Sequence, residues 1–313
     1  MKNRLLALLS ATTLLAGCQT NDLTSNKTPL QLLWDEGTFT EGPVPYQNTI
    51  LFTDLRRNRI MQFHPRTKRV SVFREDSGSA NGLGVDSEGN LLACEGADGG
   101  NRRISITGKD GQINTLVDNF EGKKFNSPND IAIAPNGTVY FTDPRYRGPE
   151  SVELDFEAVY YVQDGIAKIA TRHTERPNGL LISSDGKTAY VADNNNQAGG
   201  ARTLLKFDIR EDGSFANKAV LFAFADHQRG IDGMALDKAG NIYATAGKGK
   251  DAGIYIFTPA GNLLHKINVP DFPTNCTFDG EWLYVTAMVR ENENGERAFG
   301  LYRIKSPNEL ITK

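Results

Sequence analysis

Six side chains that carry a carboxylate or a carboxamide recur along the chain, each near the start of an apolar segment. They are Glu41, Asn81, Asn129, Asn178, Asp232 and Asn275. Carboxylate and amide oxygens are the ligands that hard cations prefer, and the two acidic members would neutralise a divalent ion. If the six converge, they predict a Ca²⁺ site, with Mg²⁺, Mn²⁺ or Zn²⁺ as alternatives. If they bind no ion, they are solvated or hydrogen-bonded to one another across a pore.

The six side chains, which we call the ring residues, open six strand-turn-strand units. The units start 40 to 54 residues apart, and most contain a turn such as Asp86-Ser87-Glu88-Gly89 or Pro135-Asn136-Gly137 between two apolar strands. Repeats of this length are typical of propeller blades. We therefore predict an all-β, six-bladed propeller with four-stranded blades around a central channel, spanning residues 30–313. A solenoid or a β-sandwich is the alternative.

Two further strands, at residues 30–34 and 301–304, have no unit of their own. We expect them to complete one blade together and so to close the ring. Equivalent positions of the innermost strands then converge at one end of the channel, which brings the ring residues together.

Composition argues against some classes of function. The net charge is −3 with mixed signs along the chain, whereas a nucleic-acid partner usually demands a basic face. After Cys18, the only cysteines in the sequence are Cys94 and Cys276. They lie far apart, so we expect two buried free thiols and no disulfide framework.

The N-terminal segment has the features of an export signal. Lys2 and Arg4 precede an apolar stretch at residues 5–15 that is short for a membrane span. The following Leu15-Ala16-Gly17-Cys18 resembles a bacterial lipobox, which implies a signal peptide at 1–17, lipidation of Cys18 and a polar tether at 18–29. Gln19 then implies the outer membrane, facing the periplasm, with the lipid as the only membrane contact. An ordinary secretory signal is the alternative.

Several motifs together resemble the gluconolactonase and regucalcin (senescence marker protein) family. They are Glu41-Gly42-Pro43, Ser127-Pro128-Asn129-Asp130, Arg176-Pro177-Asn178-Gly179 and Asp232-Gly233-Met234. The bacterial gluconolactonase branch is similar in particular at Asn81-Gly82-Leu83, Ala93-Cys94-Glu95 and Thr274-Asn275-Cys276-Thr277-Phe278. The resemblance runs from about residue 34 to residue 304.

The resemblance implies a lactone hydrolase with a cation bound in the channel. It implies metal ligands at four ring residues: Glu41, Asn129, Asn178 and Asp232. A cation that binds the lactone carbonyl oxygen would stabilise the oxyanion formed on attack. Asp232 is then our candidate for the catalytic base that activates water. Phosphotriester or fluorophosphate hydrolysis at the same cation, or a non-catalytic binding propeller, are the alternatives.

Further residues are candidates for contact with a small-molecule lactone. These are the ring residues Asn81, Asn129 and Asn275, together with Glu95 and Tyr146. Glu95 stands where three other units carry Asp54, Asp143 and Asp193, for which we expect a structural role. Ser127 stands where the animal branch carries a substrate-contacting arginine, so recognition in the animal style is not expected. We expect Asp130 to bond nearby backbone rather than a metal.

Overall fold

The computed structural model describes residues 29–306, which contain 26 β-strands and two short 3₁₀ turns at Leu55–Arg57 and Gly249–Asp251. Cys18, the predicted signal peptide and nearly all of the predicted tether lie outside the described residues. Among residues 29–306, no helix is long and apolar enough to cross a bilayer.

The strands form six four-stranded antiparallel sheets, which we number as blades in chain order. Blade 1 contains β2 (Thr40–Tyr46), β3 (Thr49–Asp54), β4 (Arg59–His64) and β5 (Arg69–Arg74). Blade 2 contains β6 (Ala80–Val85), β7 (Leu91–Glu95), β8 (Arg103–Thr107) and β9 (Ile113–Val117). A two-stranded hairpin of β10 (Asn119–Phe120) and β11 (Lys123–Lys124) follows.

The remaining blades repeat this order. Blade 3 contains β12 (Ile131–Ile133), β13 (Val139–Asp143), β14 (Ala158–Gln163) and β15 (Ile166–Thr171). Blade 4 contains β16 (Pro177–Ile182), β17 (Thr188–Asn194), β18 (Arg202–Ile209) and β19 (Phe215–Ala223). Blade 5 contains β20 (Ile231–Leu236), β21 (Ile242–Ala246), β22 (Gly253–Phe257) and β23 (Leu263–Asn268).

Blade 6 is built from both ends of the described chain. It contains β24 (Asp271–Asp279), β25 (Trp282–Glu291), β26 (Arg297–Lys305) and, as its outer strand, β1 (Gln31–Gly37). The pairing of β1 with β26 is antiparallel, with Gln31 opposite Arg303. The predicted six-bladed propeller and its closure by the two chain ends are therefore confirmed.

The core lies between adjacent blades, where apolar residues of one sheet pack on the next. Between blades 2 and 3, for example, Cys94 and Phe125 belong to the same cluster as Phe141 and Tyr160. The Phe125 ring meets the Phe141 ring edge-on, with centroids 5.1 Å apart. Burying a side chain of this size contributes about 1.5–3 kcal/mol to the free energy of unfolding. Cys94 and Cys276 are both free and buried, as expected.

Candidate active site

A cavity of about 550 Å³ opens at one end of the channel. Five of the six ring residues line it: Glu41, Asn81, Asn129, Asn178 and Asp232. These five side chains form what we call the floor of the channel cavity. A second groove of about 750 Å³ lies between the turns of blades 3 and 4, and no ring residue lines it.

The inner strands share an irregularity that directs the ring side chains. In blades 1, 2, 4 and 5 the pairing of the inner strand with the second strand shifts register beside the ring residue. In blade 1, for example, the shift falls between Glu41 and Val44. Such bulges bend a strand and re-aim a side chain, and they are frequent next to active sites.

Threonines of the second strands hold the ring of inner strands together. Thr53 in blade 1 donates to the backbone carbonyl of Asn81 in blade 2, at 3.1 Å. Thr142 in blade 3 donates to the carbonyl of Asn178 in blade 4, at 2.8 Å. Each hydrogen bond joins one blade to the ring residue of the next, so the floor is positioned by contacts between blades.

Small residues after the ring residues let neighbouring inner strands approach closely. A Cβ atom added at Gly82 would lie 2.7 Å from the backbone oxygen of Asn129, and one added at Gly179 would lie 2.3 Å from that of Asp232. Blade 3 carries Asp130 at this position. Its carboxylate accepts hydrogen bonds from the backbone N–H of Ile131 and, across the blade boundary, of Leu180, both at 2.9 Å. The hydrogen bonds expected for Asp130 are therefore present.

Glu41 and Asp232 are two buried carboxylic acids within reach of each other's charge. Burial, followed by the negative charge of Asp232, raises the pKa of Glu41 well above its usual range. Burial also raises the pKa of Asp232, while the neighbouring Arg229 opposes the rise. Burial and repulsion both make the ionised form of these carboxyl groups less stable. A positive charge placed between them would stabilise that form.

The donors of the floor fit a hard divalent cation. Glu41 and Asp232 offer carboxylate oxygens, and Asn129 and Asn178 offer amide oxygens, which is an oxygen-only set of the kind that Ca²⁺ takes. Within residues 29–306, no group of three or more His, Cys, Asp or Glu side chains could hold a metal. No histidine is among the residues that line the cavity. This donor set does not favour zinc.

Tyr146 reaches the cavity from the connection between β13 and β14. Its hydroxyl donates to the backbone oxygen of Asn194 at 2.9 Å and accepts from the Asn178 amide at 3.2 Å. The same Asn178 amide nitrogen donates to Asp232 Oδ1 at 2.6 Å. Arg145 fixes the connection by donating to the backbone oxygens of Asn126 and of residue 150. Tyr146 is therefore linked through Asn178 to the proposed base.

Arg229 is a cavity residue that sequence reasoning missed. Its Nη2 donates to Asp232 Oδ2, its Nη1 donates to the Pro273 carbonyl at 2.7 Å, and its guanidinium lies 4.0 Å from the centroid of the Phe272 ring. Phe272 has a φ of 37°, which is unusual for a bulky residue and is found mostly where surrounding structure enforces it. Arg229 is not at a position that recurs in the six units, so aligning the units could not have predicted that it lines the cavity.

Two predicted substrate contacts are not at the cavity wall. Glu95 is buried and accepts hydrogen bonds from Arg103 Nε at 2.7 Å and Asn101 Nδ2 at 2.6 Å, so its charge is already neutralised. Asn275 accepts from the Cys276 backbone N–H at 2.8 Å and packs where a Cβ of Gly233 would stand. Neither is among the lining residues. The cavity is therefore lined without these two side chains, and their predicted contact with a substrate stays a prediction.

The recurrent aspartates of the second strands hold backbone. Asp143 accepts hydrogen bonds from the N–H groups of Asn126 and Ser127, at 2.8 and 2.7 Å. Asp54 and Asp193 bind the equivalent segments before their own inner strands. Their role is structural, because they fix the chain just ahead of each ring residue.

Comparisons with known proteins agree with this geometry. Residues 39–289 match the SMP-30/Gluconolactonase/LRE-like region family. The chain is 31% identical to a gluconolactonase of Zymomonas mobilis over 87% of this chain and 83% of that protein, and 25% identical to regucalcin of Xenopus laevis over 79% and 82%. A solved structure of a Xanthomonas campestris gluconolactonase superposes with a TM-score of 0.76 at 27% identity, over 89% of this chain and 90% of that one. The chain belongs to the SMP-30/gluconolactonase family.

Proposed function

We propose that this protein hydrolyses a lactone in the channel cavity with the help of a divalent cation. The observation that carries the proposal is the convergence of five ring residues, two of them buried carboxylic acids, on one cavity. Family membership and the identity shared with a gluconolactonase support hydrolysis of a cyclic ester. No contact in the cavity favours a phosphotriester substrate or a purely non-catalytic role.

Glu41, Asn129, Asn178 and Asp232 are the residues that would hold the cation, and Ca²⁺ matches their oxygen donors best. When bound there, a divalent cation acts as a Lewis acid that polarises the lactone carbonyl. In the free protein, burial and then the charge of Asp232 raise the pKa of Glu41. A cation held between the two carboxylates would offset this repulsion.

Asp232 is the proposed general base. Its Oδ1 accepts from Asn178 and its Oδ2 from Arg229, so the carboxylate plane has a fixed orientation. In the free protein, burial raises the pKa of Asp232, and the Arg229 charge opposes the rise. In the proposed reaction Asp232 takes a proton as the water oxygen attacks the carbonyl carbon. The ring C–O bond then breaks, and the proton passes to the leaving alkoxide to give the open hydroxy acid.

A lactone panel tests the proposal. We expect hydrolysis of at least one sugar lactone, its loss in EDTA, and its return with added Ca²⁺. Asp232→Asn should remove this activity, whereas Asp226→Asn, at an exposed aspartate that does not line the cavity, should keep it. Activity that survives both EDTA and Asp232→Asn would overturn the assignment.

We also propose export and lipid anchoring through Cys18, on the sequence features of the N-terminus alone. Metabolic labelling with a fatty acid in a bacterial host would test it, because Cys18→Ser should abolish the label. Equal labelling of both forms would contradict the proposal.

A further inference from the structure

The channel cavity has a basic outer part above its floor. Four arginines line it, and they face three acidic residues, Glu41, Asp98 and Asp232. The arginines are Arg56, Arg147, Arg202 and Arg229. The cavity thus has an excess of positive charge even before a divalent cation is counted.

Two of the four arginines are committed to partners. Arg202 is buried and donates to the backbone oxygens of Gly200 and Gln197, at 2.8 and 3.0 Å. Arg229 donates to Asp232 and to the Pro273 carbonyl. These two guanidiniums serve the architecture of the cavity.

Arg56 and Arg147, which we call the mouth arginines, are different. Arg147 makes a 3.5 Å ion pair with Asp98, but both side chains are about half exposed, and such pairs contribute little. Arg56 is exposed and has neither an ion pair nor a hydrogen bond from its side chain among residues 29–306; its guanidinium lies 5.4 Å from the centroid of the Phe39 ring. Partial burial, and then the charges of Arg147 and Arg297, lower the pKa of Arg56, and the charge of Asp98 opposes this. A guanidinium without a bonded partner in the described part of the chain therefore lies near two other arginines and one aspartate.

The backbone holds Arg56 in place. It is the middle residue of the 3₁₀ turn Leu55–Arg57, which follows β3 directly. The turn is tied down where Leu55 N donates to the Phe39 carbonyl at 2.9 Å and Asn58 N donates to the Leu55 carbonyl at 3.1 Å. Phe39, Leu55 and Phe272 also line the cavity and form an apolar wall. The backbone of Arg56 is thus held at the edge of the channel cavity, while its guanidinium is free to meet a ligand there.

We propose that the mouth arginines form an oxyanion subsite, so that the substrate is a lactone carrying a carboxylate or a phosphate away from its ring carbonyl. This proposal rests on the proposed lactonase function and adds the substrate class. Guanidinium groups bind carboxylate and phosphate through paired, charge-assisted hydrogen bonds. The weak Arg147–Asp98 pair allows Arg147 to turn toward the bound anion, while Arg56 has no partner to give up.

Matched substrates and a matched variant test this subsite. The substrates are gluconolactone, the same lactone phosphorylated on its terminal hydroxyl, and a lactone whose terminal carbon is a carboxylate. We expect a higher kcat/KM on one of the anionic forms, and the better of the two identifies the anion. Arg56→Gln should reduce kcat/KM on that anionic lactone by roughly ten- to hundredfold through KM, and should reduce kcat/KM on the neutral lactone much less.

Arg57→Gln is the control, because Arg57 lies in the same turn and is exposed but does not line the cavity. It should behave as the unsubstituted protein, and equal melting temperatures would show that both variants fold. Added NaCl should weaken the preference for the anionic lactone. Equal kcat/KM on neutral and anionic lactones, or an equal effect of Arg56→Gln on both, would overturn the subsite.

Calorimetry separates this proposal from the proposed function. The ring-opened phosphorylated and dicarboxylic acids should bind to the unsubstituted protein, and Arg56→Gln should weaken that binding by about the same factor. Binding of these acids without hydrolysis of any lactone would keep the subsite and reject the lactonase. Hydrolysis of neutral lactones with no binding of either anion would reject the subsite alone.

Discussion

The floor and the mouth of the channel cavity are built in different ways. The floor consists of side chains at one repeated position of the inner strands, joined blade to blade by threonine hydrogen bonds and by the close approach of glycines. The mouth consists of residues in connections between strands, such as Arg56 in a 3₁₀ turn and Tyr146 before β14. Under the proposed function, the residues for the chemistry that all lactones share lie on the repeat, and the residues proposed to select a substrate lie in the connections, which differ between repeats.

Removing one floor carboxylate should have the largest effect. Glu41→Gln takes away one of two negative charges at the proposed cation site, so we expect Ca²⁺ affinity to fall about a hundredfold. Calorimetric titration measures it, with the exposed Glu36→Gln as the control. Unchanged affinity would mean that the floor does not bind the cation.

The next largest effect should come from a substitution that keeps two neighbouring inner strands from approaching each other. Gly82→Ala would place a Cβ atom 2.7 Å from the backbone oxygen of Asn129, which is too close for two non-bonded atoms. Because the backbone of Asn129 would have to move, we expect the free energy of unfolding to fall by about 1–3 kcal/mol. Gly84→Ala, on the same strand, meets nothing closer than the Ile131 side chain at 3.3 Å and should cost less. Urea denaturation measures both, and equal losses would refute the steric account.

At the mouth, Tyr146→Phe should have a smaller effect. It removes the hydrogen bond to the Asn194 carbonyl and the one accepted from Asn178, about 1 kcal/mol each. Because Asn178 also holds Asp232, we expect kcat/KM to fall roughly five- to tenfold and Ca²⁺ affinity to fall much less than for Glu41→Gln. A loss of cation affinity equal to that of Glu41→Gln would erase the distinction between floor and mouth.

The last prediction concerns how stability changes with pH at Asp143, which holds the segment before Asn129. Burial raises the pKa of Asp143 to about 7. Its protonated form is thus favoured in the folded state, so its contribution to stability is greatest near pH 4 and is lost as the pH rises to about 7. Asp143→Asn should weaken the hydrogen bonds to the backbone at every pH, but its free energy of unfolding should lack this dependence on pH. Unfolding free energies at several pH values measure the difference, and a pH-independent difference would contradict the shift.

The same contrast explains what sequence alone could predict. Six units at regular spacing predict the propeller, and a common register predicts that their first polar residues meet, as five of them do at the cavity. Asn275 follows the register but does not line the cavity; its side-chain oxygen accepts from the Cys276 backbone N–H. Glu95 occupies a repeated position, but its carboxylate accepts hydrogen bonds from the neighbouring Arg103 and Asn101 side chains.

Residues of the connections could not be predicted in this way. Arg229 and Arg56 reach the cavity because of where their loops fold back, and no repeated position places them there. An arginine in a polar loop is indistinguishable in sequence from the exposed Arg57. What separates them is geometry that only the packed blades create.

The closure of blade 6 by β1 and β26 has a consequence for biosynthesis. Among the described strands, β1 is made first and β26 last, so the outer strand of blade 6 has no pairing partner until β26 has been made. Contacts between such distant segments form slowly, and until then an unpaired strand edge stays open to other chains. The ring can therefore close only after β26 has been made, and the carbonyl of Pro273 can hold Arg229 only after β24 of the same blade has been made.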